Sequence, residues 1–388
     1  MKVLFAAQVA RLDGGAPQSL VALVSALADD DRFEPVVTVP RPGALSEALD
    51  ARSIPWRVVR TPAWVAYTDP ERSLSPFRRA TIRARRLVDV ARGIPAWVAL
   101  LRRERPAVVV TTTAGIPTPA VACLLSRTPH VWWLHELMSP RFGSWFVLGD
   151  AFSQRAIGLL SRRVLTVSHT VEAHYSRRIA AGKLRAVYLG IVTPPTPDSA
   201  VAPGTLRVVS LGRLTSAKGS ATAVRALAAV DGQRARVTLR LVGPVTPEYR
   251  RVLELLADDL GVRDRLELVD FTTDPHAQIE WGNVLLTCAI DEAFGRSTAE
   301  ALKSGRPVIG VRSGGTQELV DDGVDGILFE PGDVAAAARA MEALAVDPAR
   351  LEAMGRAARA RNQSRFEVAD EVAGVAAVLA EATPVDTR

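Results

Sequence analysis

Eleven short apolar runs alternate with segments of helical length along almost the whole chain, and this alternation restricts the fold more than any other feature. The first half contains VLFAAQ, PVVTVP, AVVVTT, HVWWLH, RVLTVS and AVYLGI; the second contains LRVVSLG, RVTLRLVG, LELVDF, NVLLTC and PVIGV. Most of these runs are continuously apolar, the pattern of parallel strands covered on both faces. Such strands with helices between them are repeated βα units, so the fold class is α/β. The stretch IVTPPTPDSAVAPGT at 191–205 holds four prolines and no long apolar run, which marks a linker. The expected organisation is two Rossmann-like, doubly wound parallel-sheet domains of similar size. Their bounds are 1–192 and 205–366, with a linker at 193–204 and a C-terminal helix and tail at 367–388.

A length of 388 residues accommodates two cores, and 48% apolar with 23% charged residues describes a globular chain. The two cysteines, Cys123 and Cys288, stand far apart inside apolar runs. They read as core residues in a reducing compartment, so a cytoplasmic location is expected. The apolar run in the N-terminal MKVLFAAQVARLDGG is marginal for a signal peptide and reads as a first buried strand. The uncharged stretch 106–126 approaches transmembrane length, but Thr111 to Thr113, Gly115, Pro117 and Pro119 divide it into strand, loop and helix. No membrane span is expected. Zinc-ligand spacing does not occur, and the pair His135-Glu136 lacks the second histidine of a metalloprotease helix.

Each half opens with a strand that runs into a glycine-containing turn, GGAPQSL and GRLTSAKGS respectively. Neither spells the dinucleotide fingerprint, and the second strand ends VVTVPRPG without an acidic residue to hold a ribose. A P-loop is missing too. Arg213 and Lys218 lie five residues apart between a strand end and a helix start, at the sheet edge where α/β ligands bind. Two cations beside a helix N-terminus suit a diphosphate; the alternative is a pair of ordinary surface cations.

The segment DEAFGRSTAEALKSGRPVIG at 291–310 sets Glu292 and Glu300 eight residues apart on the same edge. Gly295 lets the backbone of Phe294-Gly295-Arg296 approach a ligand closely. Ser297 to Glu300 reads as a capping box with Ser297 as N-cap, and Gly305 with Pro307 ends that helix. A polyol with a diphosphate tail suits this arrangement; the alternative for Glu292 is a solvated loop acid.

GGxxxxL near the N-terminus, a strand ending in His135, GRL-x3-KG, and E-x7-E inside EAFG-x4-EAL-x2-G-x-PVIG follow in order. GGTQELVDDGVDGILFEPGD closes the series at 314–333. Together these motifs resemble the retaining glycosyltransferases of the GT-B fold, glycosyltransferase family 4, most strongly from 206 to 335. The resemblance implies two Rossmann-like domains facing across a cleft. It implies transfer of a hexose-type sugar from a nucleoside-diphosphate sugar to a hydroxyl acceptor, with retention of configuration. In that scheme Glu292 contacts the transferred sugar, Glu300 the nucleotide ribose, and Arg213 and Lys218 the diphosphate. Gly14 and Gly15 match a loop that meets the phosphates or acceptor, and His135 matches a histidine near the sugar. Gly212, Phe294, Gly295, Arg296 and Ser297 complete the expected donor site, with Gly243 and Asp270 near the base. No cofactor beyond the donor and no metal ion are expected, because no Asp-x-Asp stands at a strand end. Leu189-Gly190-Ile191 replaces Asn-Gly-Val, and Thr287 to Ile290 replaces prolines before the Glu292 loop. These departures bear on which donor is bound.

Residues 72–105 hold ten arginines against Asp89 and Glu104, a local charge of +8 in a chain of +6 overall. Arg79, Arg83 and Arg86 share one helical face, and Phe77, Ala84, Val88 and Ala91 another, before Pro95 interrupts the pattern ahead of Trp97 and Leu100. Such an element suits an anionic membrane surface; a solvated arginine-rich helix is the alternative. Nucleic acid is not expected, since aromatic residues for base stacking are lacking. Two other functions fit the same residues: another GT-B enzyme such as a sugar-nucleotide epimerase, and a catalytically silent sugar-nucleotide binder.

Overall fold

The computed structural model describes residues 1–12, 14–67, 75–138, 144–194, 196–197 and 201–383. In the first half the strands are β1 (Lys2–Ala6), β2 (Glu34–Val39), β3 (Trp56–Val58), β4 (Val65–Tyr67) and β5 (Val108–Thr111). They continue with β6 (His130–Leu134), β7 (Ser144–Phe146), β8 (Arg163–Thr166) and β9 (Leu184–Ala186). Seven of them form one sheet in the order β3-β2-β1-β5-β6-β8-β9, all neighbours parallel. Strands β4 and β7 pair antiparallel outside it. Val3, Leu4, Phe5 and Ala6 are wholly buried, as a central strand covered on both faces must be.

The second half contributes β10 (Thr205–Leu211), β11 (Arg236–Val242), β12 (Leu266–Val269), β13 (Val284–Thr287), β14 (Val308–Val311) and β15 (Gly326–Phe329). Their order is β12-β11-β10-β13-β14-β15, again all parallel. Counted within the sheet this is 3-2-1-4-5-6, the doubly wound order, and its direction reverses between β10 and β13. The first sheet reverses in the same way between β1 and β5. Both sheets are Rossmann-like.

Two compact units result, Met1–Gly190 with the closing helix Val368–Ala382, and Ile191–Glu367. The closing helix returns to the first unit, where it packs on the helix Gly15–Ala28 and on β8 and buries Val375, Val378 and Leu379. Its periodicity made a helix legible but not its partner. The start of the linker lies on the second unit: Arg359 donates to the Thr196 carbonyl at 2.8 Å and Arg306 to that of Pro197 at 3.1 Å. Pro195 and residues 198–200 of the linker lie outside the described residues, as does Arg72 of the basic stretch.

Three details differ from expectation. The last strand of the first sheet is Leu184–Ala186, which takes in only the first residue of the apolar run AVYLGI, and Gly190 of that run is the last residue of the first unit before the chain enters the second. Strands β3, β4, β7 and β15 are only three or four residues long and carry no long apolar run of their own. Pro95 does not break its helix, which runs unbroken from Pro76 to Glu104. An interior proline costs about 3 kcal/mol. Burial of Trp97, Leu100 and Leu101, with the Trp97 indole donating to Thr61 Oγ1 at 3.1 Å, offsets that cost.

The uncharged stretch 106–126 resolves into β5, a loop and the helix Thr118–Ser126. Among the described residues no helix is long and apolar enough to cross a membrane.

Candidate active site

The loops that follow β10 and β13 leave adjacent parallel strands at the reversal of the second sheet, so both emerge at its carboxyl edge. They touch. Gly219 has φ of 72°, and a Cβ there would lie 2.5 Å from the Cys288 carbonyl oxygen, so only glycine permits the approach. That contact sets Lys218, at the end of the 3-10 turn Ser216–Lys218, against the second loop. Lys218 Nζ donates to Glu292 Oε2 at 2.5 Å. The two side chains are 42% and 23% exposed, so the pair stays open to a ligand from solvent. Arg213 is exposed on the same loop as Lys218. The carbonyl of Gly212 lies against Gly243, and Leu214 N–H donates to the Pro244 carbonyl at 3.0 Å, which fixes the β11 loop beside both.

The Glu292 loop rests on the glycine pair after β14. Gly315 N–H donates to the Glu292 carbonyl at 2.6 Å, and a side chain on Gly314 or Gly315 would overlap the backbone of Glu292 or Phe294. The motif GGTQEL is thus the seat of the loop that carries Glu292. Phe294 is 3% exposed and meets Phe366 edge-on at 5.8 Å, so only its backbone can face a ligand.

The helix after this loop starts at Arg296, with Gly295 as N-cap at φ 92°, and not at Ser297 as expected. Ser297 lies inside the first turn, so the capping box does not form. A capping box needs an extended N-cap residue, and left-handed Gly295 starts the helix two residues too early for it. Glu300 Oε1 accepts from Arg296 Nε at 2.8 Å instead. The other end is as expected: Gly305 at φ 70° closes the helix, with Arg306 N–H on the Ala301 carbonyl at 2.8 Å and Gly305 N–H on that of Leu302 at 3.0 Å. Glu300→Ala therefore removes an i,i+4 pair and no cap. A loss of about 0.3–0.5 kcal/mol is expected in urea unfolding, against the roughly 1 kcal/mol of a lost cap.

Asp270 follows Val269, whose carbonyl accepts from Gly243 N–H at 3.0 Å, and its carboxylate is held by Arg250 at 2.6 Å. Among the described residues no three His, Cys, Asp or Glu side chains cluster as metal ligands.

In the first unit, Gly14 is the N-cap of the helix Gly15–Ala28 that follows β1. His135 follows β6, with its ring 4.2 Å from that of Trp133. Burial pushes its pKa down to about 3, so the imidazole is neutral near pH 7. His135 Nε2 has no partner among the described residues. Its neighbour Glu136 was legible only as half of a failed zinc motif, yet three groups converge on its carboxylate. Oε1 accepts from Ala114 N–H at 3.0 Å and from the Thr113 hydroxyl, and Oε2 accepts from His135 N–H at 3.0 Å. Burial raises Glu136 to about 7 even though these hydrogen bonds pull the other way.

Known proteins resemble the chain in sequence and in fold. Residues 197–361 match the family described as glycosyl transferases group 1. A D-inositol 3-phosphate glycosyltransferase of Xylanimonas cellulosilytica is 32% identical over 213 residues, 51% of this chain and 50% of that protein. A lipopolysaccharide core biosynthesis glycosyltransferase of Rhizobium meliloti is 33% identical over 36% of this chain and 39% of its own. The chain thus matches half or less of the length of these relatives. Among solved structures, Anabaena HepE in complex with UDP superposes with a TM-score of 0.75 at 22% identity, over 98% of this chain and 100% of that one. Sucrose-phosphate synthase of Thermosynechococcus elongatus gives 0.74 at 20% identity, over 98% of each chain. These likenesses show the GT-B fold. The family match, residues 197–361, spans nearly all of the second unit.

Proposed function

We propose that the protein moves a hexose-type sugar from a nucleoside-diphosphate sugar to a hydroxyl acceptor, with retention of configuration and without a divalent metal. The observation that carries this reading is the Lys218–Glu292 pair at the reversal of the second sheet. A cation for phosphate and a carboxylate for sugar hydroxyls there meet the two ends of one donor. As the bond from the sugar C1 to the diphosphate oxygen breaks, negative charge grows on the leaving phosphate. Lys218, Arg213 and the N-terminus of the helix at Arg296 stabilise that charge electrostatically. Glu292 accepts hydrogen bonds from hydroxyls of the transferred sugar, and Glu300 from the ribose. The acceptor oxygen attacks C1 from the face the phosphate leaves, and its proton passes to the leaving phosphate oxygen.

HepE has been captured with UDP and with UDP-glucose, which supports uridine as the first base to try. The test is turnover of uridine, guanosine, thymidine and adenosine diphosphate sugars, with nucleoside diphosphate release read with and without EDTA. One donor should turn over at the same rate in EDTA. No turnover of any donor would overturn the transferase reading, and loss in EDTA with rescue by magnesium would overturn metal independence.

The reading extends to the helix Pro76–Glu104 as a contact with anionic membrane, at the inner face of a cell membrane. No residue before Gly93 in this helix is buried, and Phe77 is 81% exposed. Each arginine near an anionic surface contributes about 1 kcal/mol, so several act together. Replacement of Arg79, Arg83 and Arg86 by glutamine should abolish sedimentation with anionic vesicles at low salt. Equal sedimentation of mutant and wild type would leave the helix as a solvated one.

A further inference from the structure

The first sheet has its own reversal point, between β1 and β5, and a built polar cluster stands there. The loop after β5 is pinned from behind. Trp132 Nε1 donates to the Thr113 carbonyl at 2.6 Å, Trp64 Nε1 to that of Ala114 at 2.7 Å, and Trp64 N–H to that of Gly115 at 3.0 Å. With its carbonyls tied down, the loop turns the Ala114 N–H to Glu136 and the Gly115 N–H to Thr113 Oγ1, at 3.0 Å each. Thr113 in turn donates its hydroxyl to Glu136 and lies beside Gln8, which follows β1. Because that hydroxyl has a single proton, Gln8 meets Thr113 best through its amide N–H. The Gln8 carbonyl is then left as an acceptor of its own.

We propose that Glu136, with Gln8 and Thr113, forms a polyol-binding site in the first unit, in which the carboxylate accepts a hydrogen bond from a hydroxyl of the glycosyl acceptor. This rests on the transferase reading and names the chemistry of its second substrate: a neutral ring bearing several hydroxyls. The carboxylate has about four acceptor positions, and the described residues fill three. Rigid tryptophan anchors behind the loop hold the remaining one in place before any ligand arrives. Glu136 is only partly buried, so the carboxylate is not sealed off from a ligand.

Glu136 titrates near 7, where its ionised form becomes the hydrogen-bond acceptor. The titratable and charged groups facing it are neutral His135 on its own segment, Tyr67 with Arg86 behind it, and Tyr175 with Asp150 behind it. Both tyrosines are raised above their usual value and so are uncharged across that range. The pH response is then that of one carboxyl.

Saturation-transfer NMR with myo-inositol and methyl α-D-glucopyranoside as probes tests the site on the full chain, alongside calorimetry with UDP. In wild type at least one probe should give a signal that grows at least threefold from pH 6 to pH 8. Glu136→Gln should reduce it at least fivefold at pH 8, and Glu136→Asp should restore part of it, while UDP affinity stays within twofold. No probe signal in wild type, or equal signals in wild type and Glu136→Gln, would overturn the site. If Glu136→Gln does not fold, the wild-type pH series decides, and a signal flat between pH 6 and 8 counts against the proposal. UDP binding reads the second unit separately, so a lost probe signal with UDP still bound strikes this inference and not the donor site.

Discussion

Lys218→Ala is expected to slow release of nucleoside diphosphate from the donor by about 10²–10³-fold, the usual cost of losing one positioned charge at a developing anion. Two effects push in the same direction. The substitution removes the cation that meets the leaving phosphate. It also leaves Glu292, whose side chain is 23% exposed, without the ammonium that now lies 2.5 Å from its Oε2. An uncompensated carboxylate beside a diphosphate repels it. The stability cost should be small, because a pair this open to solvent contributes about 1 kcal/mol at most. The expected signature is therefore a large fall in kcat/KM with a nearly unchanged melting temperature. Since both side chains act on one donor, Lys218→Ala and Glu292→Gln should be strongly non-additive, the double variant falling short of the product of the single losses by tenfold or more. A drop of less than tenfold in kcat/KM, or full additivity, would remove the pair from the reaction.

The nearness of these two residues was legible because each sits at the end of a continuous apolar run, and parallel βα order sends both ends to one edge. What was not legible depends on contacts distant in sequence. Thr113 and Ala114, which define the environment of Glu136, precede it by 23 and 22 residues. Nothing local to His135-Glu136 reveals them. The glycine pair at 314–315 could be recognised as a motif, but its purpose lies in the backbone of Glu292 and Phe294 twenty or so residues earlier. Ser297 met the local pattern of an N-cap and lost the position to Gly295, whose left-handed backbone opens the helix two residues earlier. Pro95 obeyed its local propensity in the sequence and was overruled by the burial of Trp97. In each case tertiary packing decided between local alternatives of similar cost.

The second large effect is on the acid stability of the first unit. Burial lowers His130, bonded to Thr111 Oγ1 at 2.8 Å, and His135 to about 3 each. Burial raises Glu136 to about 7, and Lys2 with Arg57 lowers Glu104 to about 2. Between roughly pH 6.5 and 4.5 the unfolded chain binds a proton at each histidine that the folded chain does not, while folded Glu136 holds one that the unfolded chain has lost. The net difference is one proton, so stability falls with acid by about 1.4 kcal/mol per pH unit. Below 4.5 the unfolded Glu136 is protonated too and its offset ends. Glu104 then adds to the two histidines, since its depressed pKa makes its stabilisation present above 4.5 and lost as pH falls toward 2. Three protons now favour unfolding, and the slope should steepen to about 4 kcal/mol per unit. Six of the seven tryptophans, all except Trp281, belong to this unit, so urea unfolding followed by tryptophan fluorescence reads it directly. Glu136→Gln should double the slope between pH 6.5 and 4.5 to nearly 3 kcal/mol per unit, and His135→Gln should bring it close to zero. A wild-type slope that does not change near pH 4.5, or the two variants shifting it in the same direction, would mean that His135 and Glu136 do not hold the protonation states assigned to them.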